Sequence, residues 1–191
     1  MAKQKTKEIT DQEIVNFYTE YVLLNGKKPN SVYEFALKND FEESLFYNYF
    51  SSFEQLEIQY FTDMFDYSLS LVQKQKEYDD YDASQKLSSF YFTFFEMATA
   101  NRSFVKYLLQ EGKFPLANIK KLKSLRESFL AYIKEILDAP YKTEIKNLEK
   151  VQSSLIHEGA WLQFMSILKY WFDDTSKAFE KTDIFIEKSI R

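Results

Sequence analysis

Apolar residues recur at helical spacing from Thr10 almost to the C-terminus, and short polar runs divide them into separate elements. Ile14, Phe17, Tyr18, Tyr21 and Val22 form one stripe, which predicts a first helix. Thr10, with Glu13 three residues on, makes a capping box at its start, and Asn25-Gly26 supplies its stop. After the polar loop Lys27-Lys28-Pro29-Asn30, Val32, Phe35 and Ala36 predict a short helix capped by Ser31. Asn39-Asp40 form a turn. Leu45, Phe46, Tyr49 and Phe50 then predict a second short helix with all four on its buried side. Ser51-Ser52 offer a cap for a helix running from about Phe53 to Gln75, its inner face marked by Leu56, Tyr60, Met64, Tyr67 and Leu71.

The remainder repeats the pattern at greater length. Residues 76–82 are polar, acidic and aperiodic; Asp79, Asp80 and Asp82 lack the glycine and bidentate glutamate of a calcium loop, so a solvated loop is expected and no metal site. From Ser84 to about Ala100, Leu87, Phe90, Tyr91, Phe94 and Ala98 share one face while Phe92 and Phe95 occupy another. Apolar residues around most of the circumference predict a helix in the middle of a bundle. Asn101 or Ser103 caps a short helix carrying Phe104, Tyr107 and Leu108 that ends at Gly112. Pro115 opens another, with Ile119, Leu122, Leu125, Phe129, Tyr132, Ile133 and Ile136 in one stripe, and Pro140 closes it. Thr143 to Phe172 reads as one long helix or two stacked ones, its apolar positions including Leu155, Leu162, Phe164, Ile167, Leu168 and Trp171. Asp173-Asp174-Thr175-Ser176 break the pattern before a final helix capped near Thr182. With three Gly and three Pro in 191 residues, a turn-rich β protein is excluded and an all-α fold follows.

Within this plan, Ser31 to Leu56 has the outline of a helix-turn-helix. The chain there resembles the DNA-binding domain of the tetracycline-repressor (TetR) family. Gly26 ends the first helix, and Ser31-Val32-Tyr33-Glu34-Phe35-Ala36 follow at the family's spacing. Phe46-Tyr47-Asn48-Tyr49-Phe50 and Ser52-Phe53-Glu54-Gln55-Leu56 complete its pattern without a gap. A second similarity lies in Trp171-Phe172-Asp173-Asp174 followed by Thr182-Asp183-x-Phe185-Ile186-Glu187-Lys188. The resemblance implies a three-helix helix-turn-helix head over residues 1–56 and a C-terminal antiparallel helical bundle over 57–191. It also implies a homodimer formed through the last two helices, and a small apolar ligand in the bundle.

Two departures change that picture. Where the family carries a cation at the start of the recognition helix, this chain has Asp40-Phe41-Glu42-Glu43, and the later phosphate-contact Lys is Phe53. Through Leu56 there are six Lys and nine acids, a net −3, whereas the remainder, with 19 cations and 20 acids, carries only −1 of the total −4. A head that reads DNA normally holds the basic excess. Lys27 and Lys28 are its best phosphate-contact candidates, with Ser31, Ser44, Tyr47 and Asn48 facing phosphates and base edges if the resemblance extends to function. Lys3, Lys5 and Lys7 form a basic arm that is either solvated or inserted in a minor groove.

Candidate chemistry elsewhere is sparse. His157 is the only histidine, Cys is absent, and neither a Gly-rich phosphate loop nor a Gly-x-Ser-x-Gly elbow is present, so no enzyme, cofactor or thiolate metal site is expected. No stretch reaches the ~20 apolar residues of a membrane span, and a cytoplasmic protein is the expectation. Nineteen Phe and 14 Tyr describe either a packed aromatic core or an aromatic-lined cavity. If a cavity, its candidates are Phe94, Phe95, Tyr107, Phe164 and Met165, with His157 and Trp161 beside the small residues Gly159 and Ala160. The alternative for that stretch is close helix packing. Two functions follow: a regulator that binds DNA as a dimer and answers to an apolar ligand, or a TetR-fold protein that has lost DNA binding and holds a lipid. Lipid-binding accessory proteins of ubiquinone biosynthesis are similar in fold to the second.

Overall fold

The computed structural model describes residues 9–110, 118–137 and 146–190, with side chains in the last segment described from Leu155 onward. Among the described residues there is no strand, and the chain divides into two compact units, Met1–Tyr60 and Phe61–Arg191. The division falls inside a helix, four residues beyond the expected boundary at 56/57. The lysine arm, Gly112, Pro115, Pro140 and Thr143 lie outside the described residues.

The first unit contains α1 (Asp11–Asn25), α2 (Val32–Lys38), α3 (Glu43–Tyr49) and the start of α4 (Phe53–Gln73). Local chemistry sets their ends. Thr10 and Glu13 form the reciprocal capping box at α1, and Gly26 closes it at φ 65°, where only glycine is unstrained. The Ser31 hydroxyl accepts the Glu34 N–H at 3.1 Å, capping α2. Asp40 turns the chain from α2 to α3 at φ 57°, and the Phe41 N–H donates back to the Ala36 carbonyl at 3.1 Å. That turn drops Phe41 into the core.

Phe35 is the centre of this unit. Its fully enclosed ring meets Tyr18, Phe41, Phe46 and Phe53 edge-on, at centroid distances of 5.3–6.3 Å. Such pairs add about 0.5–1.5 kcal/mol each beyond their burial. Tyr49, expected inside, is instead 46% exposed, and its hydroxyl donates to the Ile9 carbonyl at 3.1 Å. The polar end of the phenol finds a backbone acceptor at the rim, so the ring stays there.

The buried face of α4 is also rotated from expectation. Leu56, Glu57, Phe61, Met64, Phe65, Ser68 and Val72 are buried, while Tyr67 and Leu71 are exposed. Two polar positions, Glu57 and Ser68, belong to the stripe and disguise its phase. The Ser68 hydroxyl satisfies itself on the Met64 carbonyl at 2.7 Å.

The second unit comprises α5 (Ala83–Ala100), α6 (Arg102–Leu109), α7 (Lys123–Leu137), α8 (Lys146–Asp173) and α9 (Glu180–Ile190), with 3₁₀ turns at Tyr78–Asp80, Ile119–Leu122 and Lys177–Phe179. The Asp82 carboxylate accepts the Gln85 N–H at 2.8 Å while the Gln85 side chain accepts the Asp82 N–H, a capping box for α5. Residues 146–173 form one helix rather than two stacked ones. Helix α5 sits among α7, α8 and α9, and contributes buried Phe90, Tyr91, Phe94, Phe95 and Ala98.

Apolar positions of α8 split between two surfaces. Phe164, Ile167, Leu168, Trp171 and Phe172 are buried, but Leu155 is 69% exposed and Leu162 65%. Both leucines are among the apolar positions of the expected helix, but they lie away from its buried side. Ile119 is exposed as well, since the 3₁₀ turn ahead of α7 takes it out of the stripe that Leu122, Leu125, Phe129, Tyr132 and Ile133 share.

Candidate functional site

The outer face of α3 carries Glu43, Ser44, Tyr47 and Asn48, of which Ser44, Tyr47 and Asn48 are exposed. Four of the expected contact residues, Ser31, Ser44, Tyr47 and Asn48, therefore lie on or just before α2 and α3. The Ser31 hydroxyl oxygen is engaged as the α2 cap. The Tyr47 hydroxyl reaches the Glu43 carboxylate at 3.4 Å; partial burial, then the charge of Glu43, raises its phenol above the ordinary value. An acceptor-only carboxylate thus occupies the first turn of the helix that would approach phosphates.

The lysines are less available than their positions in sequence suggest. Lys28 Nζ donates to Glu57 Oε2 at 3.0 Å, and Glu57 is fully enclosed. Tyr18 donates to the other carboxylate oxygen at 2.5 Å. Lys38 pairs with Glu34 at 2.9 Å and lies over the Tyr21 ring at 5.3 Å. Of the three lysines among the described residues of this unit, two are tied to carboxylates. Phe53, which stands where the resemblance expects a phosphate-contact Lys, stacks on Tyr18 at 5.1 Å and meets Phe35 and Phe46 edge-on. Its half-buried ring leans on the core rather than standing free in solvent.

In the second unit, Phe94, Phe95 and Phe164 do not line an empty chamber. Phe94 and Phe164 lie 5.2 Å apart, Phe95 and Phe164 5.7 Å, and Trp161 stacks on Phe164 at 5.3 Å and 15°. The rings expected to clasp a ligand clasp one another, because close aromatic contacts fill the space between α5 and α8. Tyr107, His157 and Met165 are partly exposed.

An apolar groove of about 540 Å³ opens beside this cluster. Gly159 and Ala160 form its floor on α8, facing Leu87 on α5 and Ile133 and Ile136 on α7. A Cβ placed on Gly159 would meet no atom within 4 Å, so the small residue borders open space rather than a tight helix crossing. Gln163 and Ser84 are the polar side chains of the groove, and Gln163 accepts the Tyr91 hydroxyl at 3.1 Å and donates to the Ser189 carbonyl. His157 itself does not line it; its neighbours Ile156, Gly159 and Ala160 do.

Sequence reasoning missed a polar hub where α8 passes into α9. Arg102 donates to the carbonyls of Trp171, Phe172 and Asp174 at 2.9–3.1 Å, satisfying the end of α8, and its guanidinium covers the Trp171 and Phe179 rings at 4.5 and 4.2 Å. Burial lowers the Arg102 pKa while Asp174 opposes the shift. Asp174 accepts two hydrogen bonds from Ser176 and two from Thr182 at 2.7–3.0 Å. Burial raises its carboxyl, but those donors outweigh it and hold the pKa at about 2. Thr182, expected as the cap of the last helix, therefore sits within α9 and donates to Asp174. The mixed Asp-Asp-Thr-Ser run gave the break; nothing local pointed to Arg102, 72 residues away from Asp174.

An all-α chain of this topology defines a TetR-like fold. Residues 86–191 match the family model of the tetracyclin repressor-like C-terminal domain, more than half of the chain, and the protein belongs to that family of regulators. A search of the curated proteins and of the solved structures finds no match. No described helix is long and apolar enough to cross a membrane.

Proposed function

We propose that this TetR-like regulator is a cytoplasmic one-component transcription factor without catalytic activity, binding DNA as a homodimer and responding to a small apolar ligand. The family match carries the reading, and the short helix–turn–short helix of α2 and α3 supplies the DNA-reading element. Lys27 contacts the phosphate backbone, and Ser44, Tyr47 and Asn48 meet base edges or phosphates. Leu155 and Leu162 of α8, with Ile184 of α9, offer an exposed apolar face for the second copy. The ligand occupies the groove at Gly159 and Ala160, with Gln163 as its polar anchor. It acts by binding one separation of the two heads more tightly than the other.

A salt series on labelled duplex pools tests the first half. Each phosphate contact contributes roughly 0.9 to the slope of log affinity against log salt. Absence of salt-dependent binding near about 50 mM salt removes the DNA role.

A second reading is favoured by a specific observation: Glu57 and Glu34 hold Lys28 and Lys38, and Phe53 is packed inward. On this reading the head no longer reads DNA and the protein is a carrier or sensor of a lipid-like molecule. Solvent extraction of the purified protein followed by mass spectrometry would then release an apolar compound, and replacing Gly159 with Leu would abolish its retention.

A further inference from the structure

Helix α9 is thinly anchored. Of its eleven residues only Thr182 and Ile186 are buried, against five on the inner face of α5. Two buried side chains are a weak hold, since docking strength scales with the apolar surface removed from water. The rest of the attachment is polar or partly exposed. At the start of α9 the Thr182 N–H and hydroxyl donate to Asp174 at 3.0 and 2.7 Å. Near its middle Phe185 stacks on Tyr170 at 4.6 Å, and at its end the Ser189 carbonyl accepts from Gln163.

Two features work against this docking. The turn that leads into α9 places Ala178 at φ 52° and Phe179 at φ 59°, consecutive side chains in the left-handed region that glycine alone occupies without strain. Like charges also gather where α9 meets α5. Partial burial, and then the charges of Glu96 on α5, Asp174 and Glu187, raise the Asp183 carboxyl above its ordinary value.

Against both stands one side chain. Arg102, at the start of α6, donates to the carbonyls of Trp171, Phe172 and Asp174, and its guanidinium lies 4.2 Å from the centre of the Phe179 ring. It therefore grips the strained turn and the residue whose carboxylate receives Thr182. Lys106, one turn further along α6, reaches the Phe172 carbonyl at 3.2 Å and the Phe172 ring, both within α8. A strained backbone persists where its surroundings over-determine it, and here a cation on another helix supplies much of that constraint.

We propose that α9 is a latch that opens while α5 and α7 stay folded, with Arg102 as the residue that keeps it closed. Ile184 on α9 belongs to the apolar face offered to a second copy, so opening the latch breaks up that face and weakens association. This consequence rests on the homodimer reading above; the latch itself does not.

Hydrogen–deuterium exchange on the full chain, in a dilution series toward the monomer, tests it. The α9 amides are expected to exchange at least about tenfold faster than those of α5 and α7, the mark of an opening below the global transition. Arg102→Met keeps the stem and removes the guanidinium. It is expected to speed α9 by about tenfold again without moving α5 or α7, whereas Lys106→Met leaves α9 near the parent. Two variants act in the other direction: Ala178→Gly relieves the left-handed strain and Glu96→Gln removes a like charge, each slowing α9 by about threefold. The proposal is overturned by α9 exchanging at the rate of α5, by Arg102→Met acting on all helices equally or on none, or by tightening variants without effect. Sedimentation equilibrium on the same proteins reads the consequence: Arg102→Met weakens a dimer that Glu96→Gln strengthens. A dimer equally tight in every variant overturns the link to association. A parent that is monomeric throughout removes the homodimer reading instead, and the exchange rates still decide the latch.

Discussion

Lys28 Nζ lies 3.0 Å from a carboxylate oxygen of Glu57, a residue with no exposed surface, and Tyr18 holds the other oxygen. This contact converts a candidate phosphate ligand into a stabiliser of the head. Replacing Glu57 with Ala strands the Tyr18 hydroxyl and the lysine, at a cost of about 3 kcal/mol in denaturant melts. Lys28→Ala costs less, about 1–2 kcal/mol, since its own end is partly solvated. If DNA is bound, Lys27→Ala lowers the salt slope by roughly 0.9 whereas Lys28→Ala leaves it unchanged. Equal losses of slope would show that Lys28 leaves Glu57 to meet phosphate.

Asp40 adopts φ 57° at the turn between α2 and α3. A non-glycine residue there is strained, although Asp tolerates it better than most. Asp40→Gly is expected to raise stability by about 0.5–1 kcal/mol, visible as a higher denaturation midpoint with unchanged slope. Asp40→Val, β-branched at positive φ, should lower it by more than that gain.

The Asp174 carboxyl, held at about 2 against an ordinary 3.8, ties stability to pH. Its folded-state pKa is the lower one, so its contribution is present above about pH 4 and is lost as pH falls through about 2. Discounted for solvent screening, the linked term is about 1 kcal/mol. Thr182→Val removes one hydroxyl donor, raises the folded pKa and shrinks that acid-side slope. Thermal melts from pH 5 to 2 would reveal it as a flatter profile than the parent's.

Gly159 borders open space at an unstrained helical position, so Gly159→Ala should stabilise α8 by about 0.5–1 kcal/mol. A drop in melting temperature would mean that the backbone there is approached closely by something the isolated chain does not show, such as a second copy.

The helices themselves were legible residue by residue. Thr10-x-x-Glu13, Ser31 and Gly26 mark ends through hydrogen bonds within four residues, and such bonds form whatever packs nearby. Asp82 carried an equally local signal, yet it sat in an acidic run that invited a metal question instead of a capping box. Burial was harder to see. Tyr49, Tyr67, Leu155 and Leu162 satisfy the apolar spacing but face outward, while Glu57 breaks it and is enclosed. Periodicity reports that a helix has an apolar stripe; when aromatics and leucines ring the helix, it does not report which side a neighbour covers.

The candidate sites divide along the same line. The order of elements, the acidic excess of the first 56 residues and the loss of the expected cations were properties of the sequence alone, because they depend only on which residues are present. Which lysines remain available, whether the Phe94–Phe164 rings enclose space or fill it, and the meeting of Arg102 with Asp174 depended on tertiary structure. These are matters of distance between residues far apart in the chain, fixed by how side-chain volumes fill a shared interior rather than by the pattern along any one helix.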